Sequence, residues 1–496
     1  MNWFILLILG ILTYFFYLIV ERSVAHITKT PVWMLWLATT LPAFVWAGWI
    51  VVNGDARIPL LLLAGSFLVS SILYWFLVQR GRVTQPNSTN NSQPKQDVVN
   101  AVTERQRTLR SLNQEEEANL QNCFPWSVFY LQNIEHRSQA LICRGQLRTS
   151  PDVAYNTIRD NIESHFSDRF LVVFQEGLNG KPFFVLVPNP RSNGVNAHRA
   201  EQRTLNPALA IGLLVLTLLT TTLAGAMLLS EGGRELPQDI STLLTGLPYA
   251  LALMAVLGTH ELAHFLAACR YRVRATLPYF IPVPPAGIFP FGTFGAFIQL
   301  RSPLPNRKAL FDVGIAGPLA GFIVTVPVLF WGLSNSEVVS LTEQSGILNF
   351  DSFQPTASLL IAVLSKLALG STLTVNQALR LHPVAIAGCL GLIITALNLM
   401  PVGQLDGGHI VHAMFGQRTG ALIGQVARLL VLALSFVQRE LLLWALLLFI
   451  MPLADEPALN DVTELDNGRD FLGLLALGIL VAIILPAPPP LTQAFF

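Results

Sequence analysis

A short polar motif, His260-Glu261-Leu262-Ala263-His264, lies inside an otherwise apolar stretch of the chain. On a helix, histidines four residues apart lie one turn apart on the same face, so both imidazoles can bind one Zn²⁺. Glu261 lies beside them, where it can accept a proton from water. Two core histidines beside a salt-bridged glutamate are the structural alternative. Since ionisable groups in an apolar membrane helix are costly without a function, we expect metal chemistry here.

Asp406 is the candidate for a third metal ligand. A hydrolytic zinc site has three protein ligands and one position for water. Asp406 is the only acid between Asp351 and Glu440, and we expect it at a membrane depth similar to that of His264. The two glycines that follow it allow the backbone to approach the metal closely. The alternative is an ordinary turn aspartate in an Asp-Gly pair.

Two further histidines follow Asp406 closely. His409 and His412 are rival candidates for the third ligand. We expect these histidines to support the metal site or to lie at an interface rather than to bind the metal.

The composition indicates which elements must hold these residues. The 496 residues include only 12% charged and 52% hydrophobic residues, against about 25% charged in soluble domains. Residues 80–206 hold 15 Lys or Arg and 12 Asp or Glu. The rest cannot cover a water-soluble surface, which excludes a soluble enzyme and a disordered protein. The net charge of +1 gives no support to nucleic-acid binding. We predict a polytopic α-helical membrane protein with one polar insert.

Apolar windows predict about ten membrane spans. The stretch 419–454 is broken by Arg428 and by polar residues 438–440, and we interpret it as two short helices rather than one. Residues 1–20 are a retained helix or a signal peptide, and the lack of a basic start and a cleavage site favours the helix. The window 275–300 contains too many prolines and glycines for a helix. The remaining charge-free windows are 31–54, 58–79, 205–230, 240–259, 313–336, 381–405 and 471–496.

Basic residues between the spans predict orientation. With ten spans, and leaving the insert aside, 10 Lys or Arg fall on one side of the membrane and 5 on the other. Cytoplasmic loops carry the excess of Lys and Arg. We therefore expect the insert on the cytoplasmic side and the N-terminus outside.

The polar insert reads as a linker followed by a small folded domain. Strands are predicted at 126–131 and 140–147, a helix at 152–166, and a hairpin from 170–174 and 182–187, which gives a ββαββ domain. It carries no catalytic constellation, so we expect it to regulate or to bind a partner. The predicted division of the chain is a three-helix membrane region at 1–80, a flexible linker at 81–118, a small α+β domain at 119–190, a membrane catalytic core at 205–455, and an acidic loop with a C-terminal transmembrane helix at 456–496.

Paired motifs give the chain a family resemblance. His260-Glu261-Leu262-Ala263-His264 together with Asn398-Leu399-Met400-Pro401 and Leu405-Asp406-Gly407-Gly408 resembles the site-2 protease family of intramembrane zinc metalloproteases. The extra N-terminal spans, the insert and Phe291-Gly292-Thr293-Phe294-Gly295 are similar to the chloroplast ethylene-dependent gravitropism-deficient and yellow-green proteases and their cyanobacterial relatives. Gln146 replaces the usual Asn of that group's insert motif, so that motif is given no role.

The resemblance implies regulated intramembrane proteolysis of single-span membrane proteins in the lipid bilayer. It implies zinc on His260, His264 and Asp406, with Glu261 as the catalytic base. Asn398 either donates to the oxyanion and the substrate backbone or makes a hydrogen bond that packs helices. Residues Gly292, Thr293, Phe294 and Gly295 either offer an edge strand to the extended substrate or form a plain re-entrant loop.

Two other functions compete with proteolysis. Ionisable residues in a membrane also mark ion paths, so an ion or metal transporter is one alternative. An inactive zinc-binding scaffold is the other. With no transit peptide recognised at the start of the sequence, we expect a multi-pass protein of a cyanobacterial plasma or thylakoid membrane. The substrate and the oligomeric state are not predicted.

Overall fold

The computed structural model describes residues 31–53, 114–137, 140–177, 180–189, 207–230, 239–285, 290–342, 349–374, 377–436 and 455–488, with isolated positions elsewhere. The predicted helix at 1–20 lies outside these residues. So do most of the linker, most of the span at 58–79 and much of 437–454.

The described part of the chain is mainly helical. Its α-helices are α1 Val32–Asn53, α2 Gln114–Asn122, α3 Pro151–Phe166, α4 Pro207–Leu229, α5 Ile240–Leu244, α6 Leu247–Arg270, α7 Arg307–Ser334, α8 Leu359–Leu369, α9 Pro383–Leu399, α10 Asp406–Ser435 and α11 Asn467–Ile484. Its strands are β1 Phe129–Arg137, β2 Ala140–Leu147, β3 Phe170–Glu176, β4 Pro182–Pro188, β5 Tyr279–Pro282, β6 Thr293–Phe297, β7 Glu337–Ser340 and β8 Gln377–Arg380. Short 3₁₀ turns occupy Ser167–Arg169, Pro355–Ala357 and Gly370–Thr372.

Among the described residues, five helical stretches are long and apolar enough to cross a membrane. The helices α8 and α9 are apolar but shorter. The protein is therefore a multi-pass membrane protein. The five stretches are Pro207–Leu229, Ile240–Arg270, Arg307–Ser334, Asp406–Ser435 and Asn467–Ile484.

Local signals explain where the helices of the core begin. The Asn306 side chain accepts a hydrogen bond from the Ala309 N–H at the start of α7, which satisfies a donor that the helix cannot pair itself. Pro383 occupies the first turn of α9, where its missing N–H costs nothing. The helix α7 packs against both α9 and α10. The early part of α7, at Gly314, lies against the start of α10, and its later part, at Gly332, lies against α9.

The polar insert contains a four-stranded antiparallel sheet. Its strand order is β1-β2-β4-β3, and α3 connects β2 to β3. One face of α3 buries Ile158 and Ile162, in a core that includes Phe129, Phe174 and Phe184. The sheet leaves β1 and β3 at its edges.

The structure corrects two boundaries between predicted segments and adds one helix. The predicted linker 81–118 ends in a helix, because α2 begins at Gln114. Three glutamates in its first turn complement the helix dipole, and Leu120 is buried in the insert core. The predicted span 381–405 ends early: α9 stops at Leu399, and Asp406 begins the separate helix α10. The sequence also misses α8, which contains Lys366 in its last turn.

The helix α10 is interrupted at Gly416. This glycine has a φ of 83° and a ψ of 161°, in the region that residues with a side chain rarely adopt. The first half of α10 therefore runs from Asp406 to just before Gly416. The second half corresponds to the apolar stretch that the sequence predicts from 419.

Candidate metal centre

Three side chains from two helices point their ligand atoms at one place. His260 and His264 come from α6 and Asp406 from the first turn of α10. The Nε2 atoms of the two histidines lie 3.1 Å apart. The Oδ2 atom of Asp406 lies 3.5 Å from His260 Nε2 and 3.2 Å from His264 Nε2. These are the two histidines and the acid that the sequence selects.

The spacing of these atoms fits a zinc ion. Zinc binds histidine nitrogen and carboxylate oxygen at about 2.0–2.2 Å in a tetrahedron, so neighbouring ligand atoms lie about 3.3 Å apart. The three separations of 3.1, 3.2 and 3.5 Å bracket that value. Three ligands occupy three tetrahedral corners and leave the fourth for water or a substrate oxygen. The donor set and the spacing therefore suit a hydrolytic zinc site.

A carbonyl of α7 fixes the orientation of His264. Its Nδ1 lies 2.7 Å from the carbonyl oxygen of Val313. A carbonyl can only accept, so Nδ1 carries the proton and Nε2 has a free lone pair for a metal. The His264 and His260 side chains are both buried, at 6% and 3% exposure. The sequence does not identify Val313, because a backbone acceptor leaves no signal in residue type.

Gly317 makes room for the two imidazoles. A Cβ atom at this position would lie 2.0 Å from His264 Nε2, far inside van der Waals contact. One turn later, a Cβ at Gly321 would lie 3.2 Å from His260 Nδ1. His264 and His260 therefore pack directly against the backbone of α7 at Gly317 and Gly321.

We expect Gly317→Ala to displace His264 and to weaken zinc binding by more than about tenfold. The added methyl group must push either the ring or the helix away, since overpacked sites cost about 1–3 kcal/mol. Gly478→Ala is the matched control: it lies in membrane helix α11, and a Cβ there meets nothing within 4 Å. Zinc titration of both purified variants tests this. Equal zinc affinity in the two would contradict the proposed packing.

A tight turn sets the position of Asp406. Gly403 has a φ of 52°, which favours glycine. A Cβ at Gly407 would lie 2.0 Å from the Leu399 carbonyl oxygen, and one at Gly408 would lie 2.1 Å from the Gly403 carbonyl oxygen. The first turn of α10 thus packs directly on the end of α9. This close approach brings the carboxylate back to the histidines of α6.

Glu261 and Asn398 lie beside the three ligand atoms. Glu261 is 7% exposed, and its carboxylate accepts a hydrogen bond from the backbone N–H of Ile298. The Nδ2 atom of Asn398 lies 3.1 Å from His260 Nε2. A carboxylate and an amide donor therefore both border the centre. Ile298 is a contact that the sequence misses.

The other residues selected from the sequence lie in different surroundings. Residues 293–295 belong to β6, which forms a two-stranded sheet with β5. Gly292 and Gly295 both have a positive φ, of 81° and 104°. His409 and His412 contact Asp455 rather than the three-ligand cluster. Neither histidine belongs to the group of His260, His264 and Asp406 whose ligand atoms converge.

Two family models and several known proteins resemble the chain. Residues 248–438 match the model of peptidase family M50, and residues 118–194 match the EGY3 middle domain. The protein named "Probable zinc metalloprotease EGY2, chloroplastic" of Oryza sativa subsp. indica is 29% identical over 377 residues, covering 74% of this chain and 65% of that protein. "Probable zinc metalloprotease EGY1, chloroplastic" of Arabidopsis thaliana is 36% identical over 242 residues, covering 48% of this chain and 43% of its own length. No solved structure matches the chain.

The M50 match covers the helices that build the centre. The chain spans less than two thirds of the length of these curated relatives. The M50 match begins one residue after α6 starts and runs past the end of α10, so it includes every helix that supplies a ligand atom. The resemblance to the site-2 protease family is supported over this region: residues 248–438 of the chain are similar to peptidase family M50.

Proposed function

We propose that this protein is an intramembrane zinc metalloprotease that hydrolyses peptide bonds within the transmembrane segments of other membrane proteins. The observation that carries this proposal is the convergence of His260, His264 and Asp406 on one point inside apolar helices, with Glu261 beside them. The family match and the zinc metalloproteases among its relatives support it.

Each side chain of the centre has a separate role in the proposed hydrolysis. His260, His264 and Asp406 would hold the zinc ion, which when bound would supply a Lewis acid able to lower the pKa of water and polarise the scissile carbonyl. Glu261 accepts the proton of the attacking water and passes it to the leaving amine nitrogen. Burial strengthens these interactions, because little water screens them. We assign Asn398 to the carbonyl oxygen of the substrate, where its amide can donate as negative charge develops. Its present contact with His260 supports this placement, and a helix-packing hydrogen bond is the alternative role.

A helical substrate must unwind before it can be cut, because its peptide groups are shielded by their own hydrogen bonds. We propose that residues Gly292, Thr293, Phe294 and Gly295 receive the extended peptide as an added strand. The strand conformation of β6 supports this role. The bond from the Ile298 N–H to Glu261 supports it too, since Ile298 directly follows β6. A plain re-entrant loop is the alternative.

We also propose the finer architecture that the sequence predicts. It has about ten spans, with the ββαββ insert on the cytoplasmic side of a cyanobacterial plasma or thylakoid membrane. The excess of Lys and Arg on the side of the insert supports this orientation. The described order β1, β2, α3, β3, β4 supports the insert fold. Single-span membrane proteins are the proposed substrates.

Removal of zinc tests the activity. We expect the purified protein in proteoliposomes to cut a single-span peptide, to lose this activity with a zinc chelator, and to regain it when zinc is added back. Mass spectrometry of the products measures the cut. A zinc-loaded protein that cuts no transmembrane peptide would refute the proposal. Zinc uptake into the same vesicles that depends on His260 would instead favour a transporter.

A further inference from the structure

A second buried charged cluster lies outside the metal centre, at His412, Asp455 and Asp461. The three residues are 1%, 7% and 7% exposed. His412 Nδ1 lies 2.9 Å from Asp455 Oδ2, and its Nε2 lies 2.9 Å from Asp461 Oδ1. A neutral imidazole has one N–H and cannot donate at both nitrogens. The geometry is therefore that of a cationic histidine between two carboxylates.

Asp455 is ionised in this arrangement. Burial raises the pKa of Asp455, but hydrogen bonds from His409 and His412 outweigh that effect and hold the pKa below its usual value. The His409 contact is 2.7 Å long. One oxygen of Asp455 thus accepts from two histidines of the first half of α10. Breaking such a buried pair on one side leaves an uncompensated charge, which is strongly unfavourable.

The segment that carries the two aspartates also binds the insert. The Phe174 N–H donates to the Leu459 carbonyl at 2.7 Å, and the Asp461 N–H donates to the Phe174 carbonyl at 2.9 Å. These bonds extend the sheet of the insert at the outer edge of β3. The Thr463 hydroxyl donates to Asp152 of α3 at 2.8 Å. Asp461 therefore has its backbone on the insert and its side chain on His412.

The same segment contacts the start of α7. The Leu459 N–H donates to the Leu304 carbonyl at 2.9 Å, and the Asn460 N–H donates to the Pro305 carbonyl at 3.0 Å. Two residues later, Arg307 Nε donates to the Ala413 carbonyl of α10 at 2.8 Å. Residues 412 and 413 of α10 are thus held both by the segment and by α7.

His412 lies on the same helical segment as Asp406. It lies six residues after Asp406, about 9 Å along an unbroken helix, and before the interruption at Gly416. A displacement of His412 therefore moves the carboxylate of Asp406. Catalytic groups lose much of their effect when displaced by about 1 Å.

We propose that His412 is a positioning residue: by binding Asp455 and Asp461 it couples the insert to the first half of α10, and thereby to the position of Asp406. This inference rests on the proposed protease function. Docking of the insert at β3 sets the rate of cleavage rather than supplying a second catalytic group. A partner that pulled the insert away would lower that rate.

A cross-linking assay with kinetics tests the coupling. Cys269→Ser is first introduced into the 496-residue chain to remove an exposed thiol that would react with the cross-linker. The other cysteines, Cys123, Cys143 and Cys389, are buried. Asp152→Cys and Thr463→Cys then report docking through a short bismaleimide. They remove one side-chain hydrogen bond and leave the backbone bonds of Phe174 with Leu459 and Asp461 in place. His412→Gln and the milder Asp461→Asn are compared with His136→Gln, a partly exposed insert histidine. Each protein is assayed for cross-link yield, zinc per chain, and kcat and KM on a single-span peptide.

The expected result is specific to a positioning role. His412→Gln and Asp461→Asn lose most of the cross-link and at least about tenfold in kcat, while KM stays within about twofold and zinc stays at one per chain. Cross-linking the docked fraction of His412→Gln restores kcat. His136→Gln changes neither docking nor kcat. A merely structural role would leave kcat per zinc-loaded molecule unchanged.

Two results would overturn the inference: cross-linking that persists in both cluster variants, or released insert with kcat equal to wild type. A zinc-loaded wild-type protein that cuts nothing is a separate result that refutes the proposed function. The coupling is then judged by cross-linking alone, and loss of the cross-link in His412→Gln supports it while persistence overturns it.

Discussion

Replacing Glu261 by glutamine is expected to lower kcat for peptide cleavage by about 10²- to 10⁴-fold, the usual contribution of a general base. Glutamine keeps the shape of the side chain, and its amide oxygen can still accept the hydrogen bond from the Ile298 N–H. It cannot act as a base, because the amide does not take up the proton of water. Glu261 is not one of the three converging ligand residues, so zinc content should stay at one per chain. Single-turnover cleavage and metal analysis of the same preparation measure both effects.

The matched control for Glu261→Gln is Glu337→Gln. Glu337 is exposed, at the start of β7, and pairs only with Arg380 among its described contacts. This control should cut at the wild-type rate. A Glu261→Gln protein that also cuts at that rate would contradict the assignment of Glu261 as the base. Loss of zinc in Glu261→Gln would instead make Glu261 a ligand.

Replacing Asp406 by asparagine is expected to abolish zinc binding and cleavage together. The carboxylate supplies one of three ligand atoms and carries the only negative charge among them. Loss of a residue that merely supports a ligand costs about 10- to 100-fold in metal affinity, so loss of a ligand should cost more than 100-fold. Competition with a zinc-binding dye measures the affinity.

Asp351→Asn is the control for Asp406→Asn. Asp351 is exposed and lies outside the three-ligand cluster. The zinc affinity and the cleavage rate of the Asp351→Asn protein should equal those of the wild-type protein. Zinc bound to Asp406→Asn with wild-type affinity would show that another residue, with His409 the nearest histidine in sequence, supplies the third ligand. The contrast between the Glu261 and Asp406 variants separates proton transfer from metal binding.

The three converging side chains can be predicted because each of them has a local signal. Four-residue spacing puts His260 and His264 on one face of a helix whatever surrounds them. Asp406 stands out as the lone acid in a long apolar region. The sequence does not predict how Asp406 reaches the histidines. The pair Gly407-Gly408 suggests a turn, but these glycines open α10, where contact with the carbonyl oxygens of Leu399 and Gly403 leaves no room for a side chain.

The polar cluster around His412 has no signal of this kind. His412 and Asp461 are 49 positions apart, and the acids of the 455–466 segment read as a solvated loop. Only the folded chain shows that this segment lies between the insert and α10. The bounds of the strands also divide into those that local sequence predicts and those that only the fold decides. β2 lies at the predicted 140–147, while β1 begins later than predicted and extends to Arg137, because its pairing with β2 decides its length.

The most direct test of the central claim is the site and chemistry of the cut. Zinc-loaded protein is incubated with a single-span substrate in water enriched in ¹⁸O, and the products are identified by mass spectrometry. We predict a cut within the apolar segment of the substrate, with one ¹⁸O atom in the new C-terminal carboxylate, and no such product from Glu261→Gln. No cut in that segment, or a cut that persists in Glu261→Gln, would contradict the proposal that this buried centre is a protease.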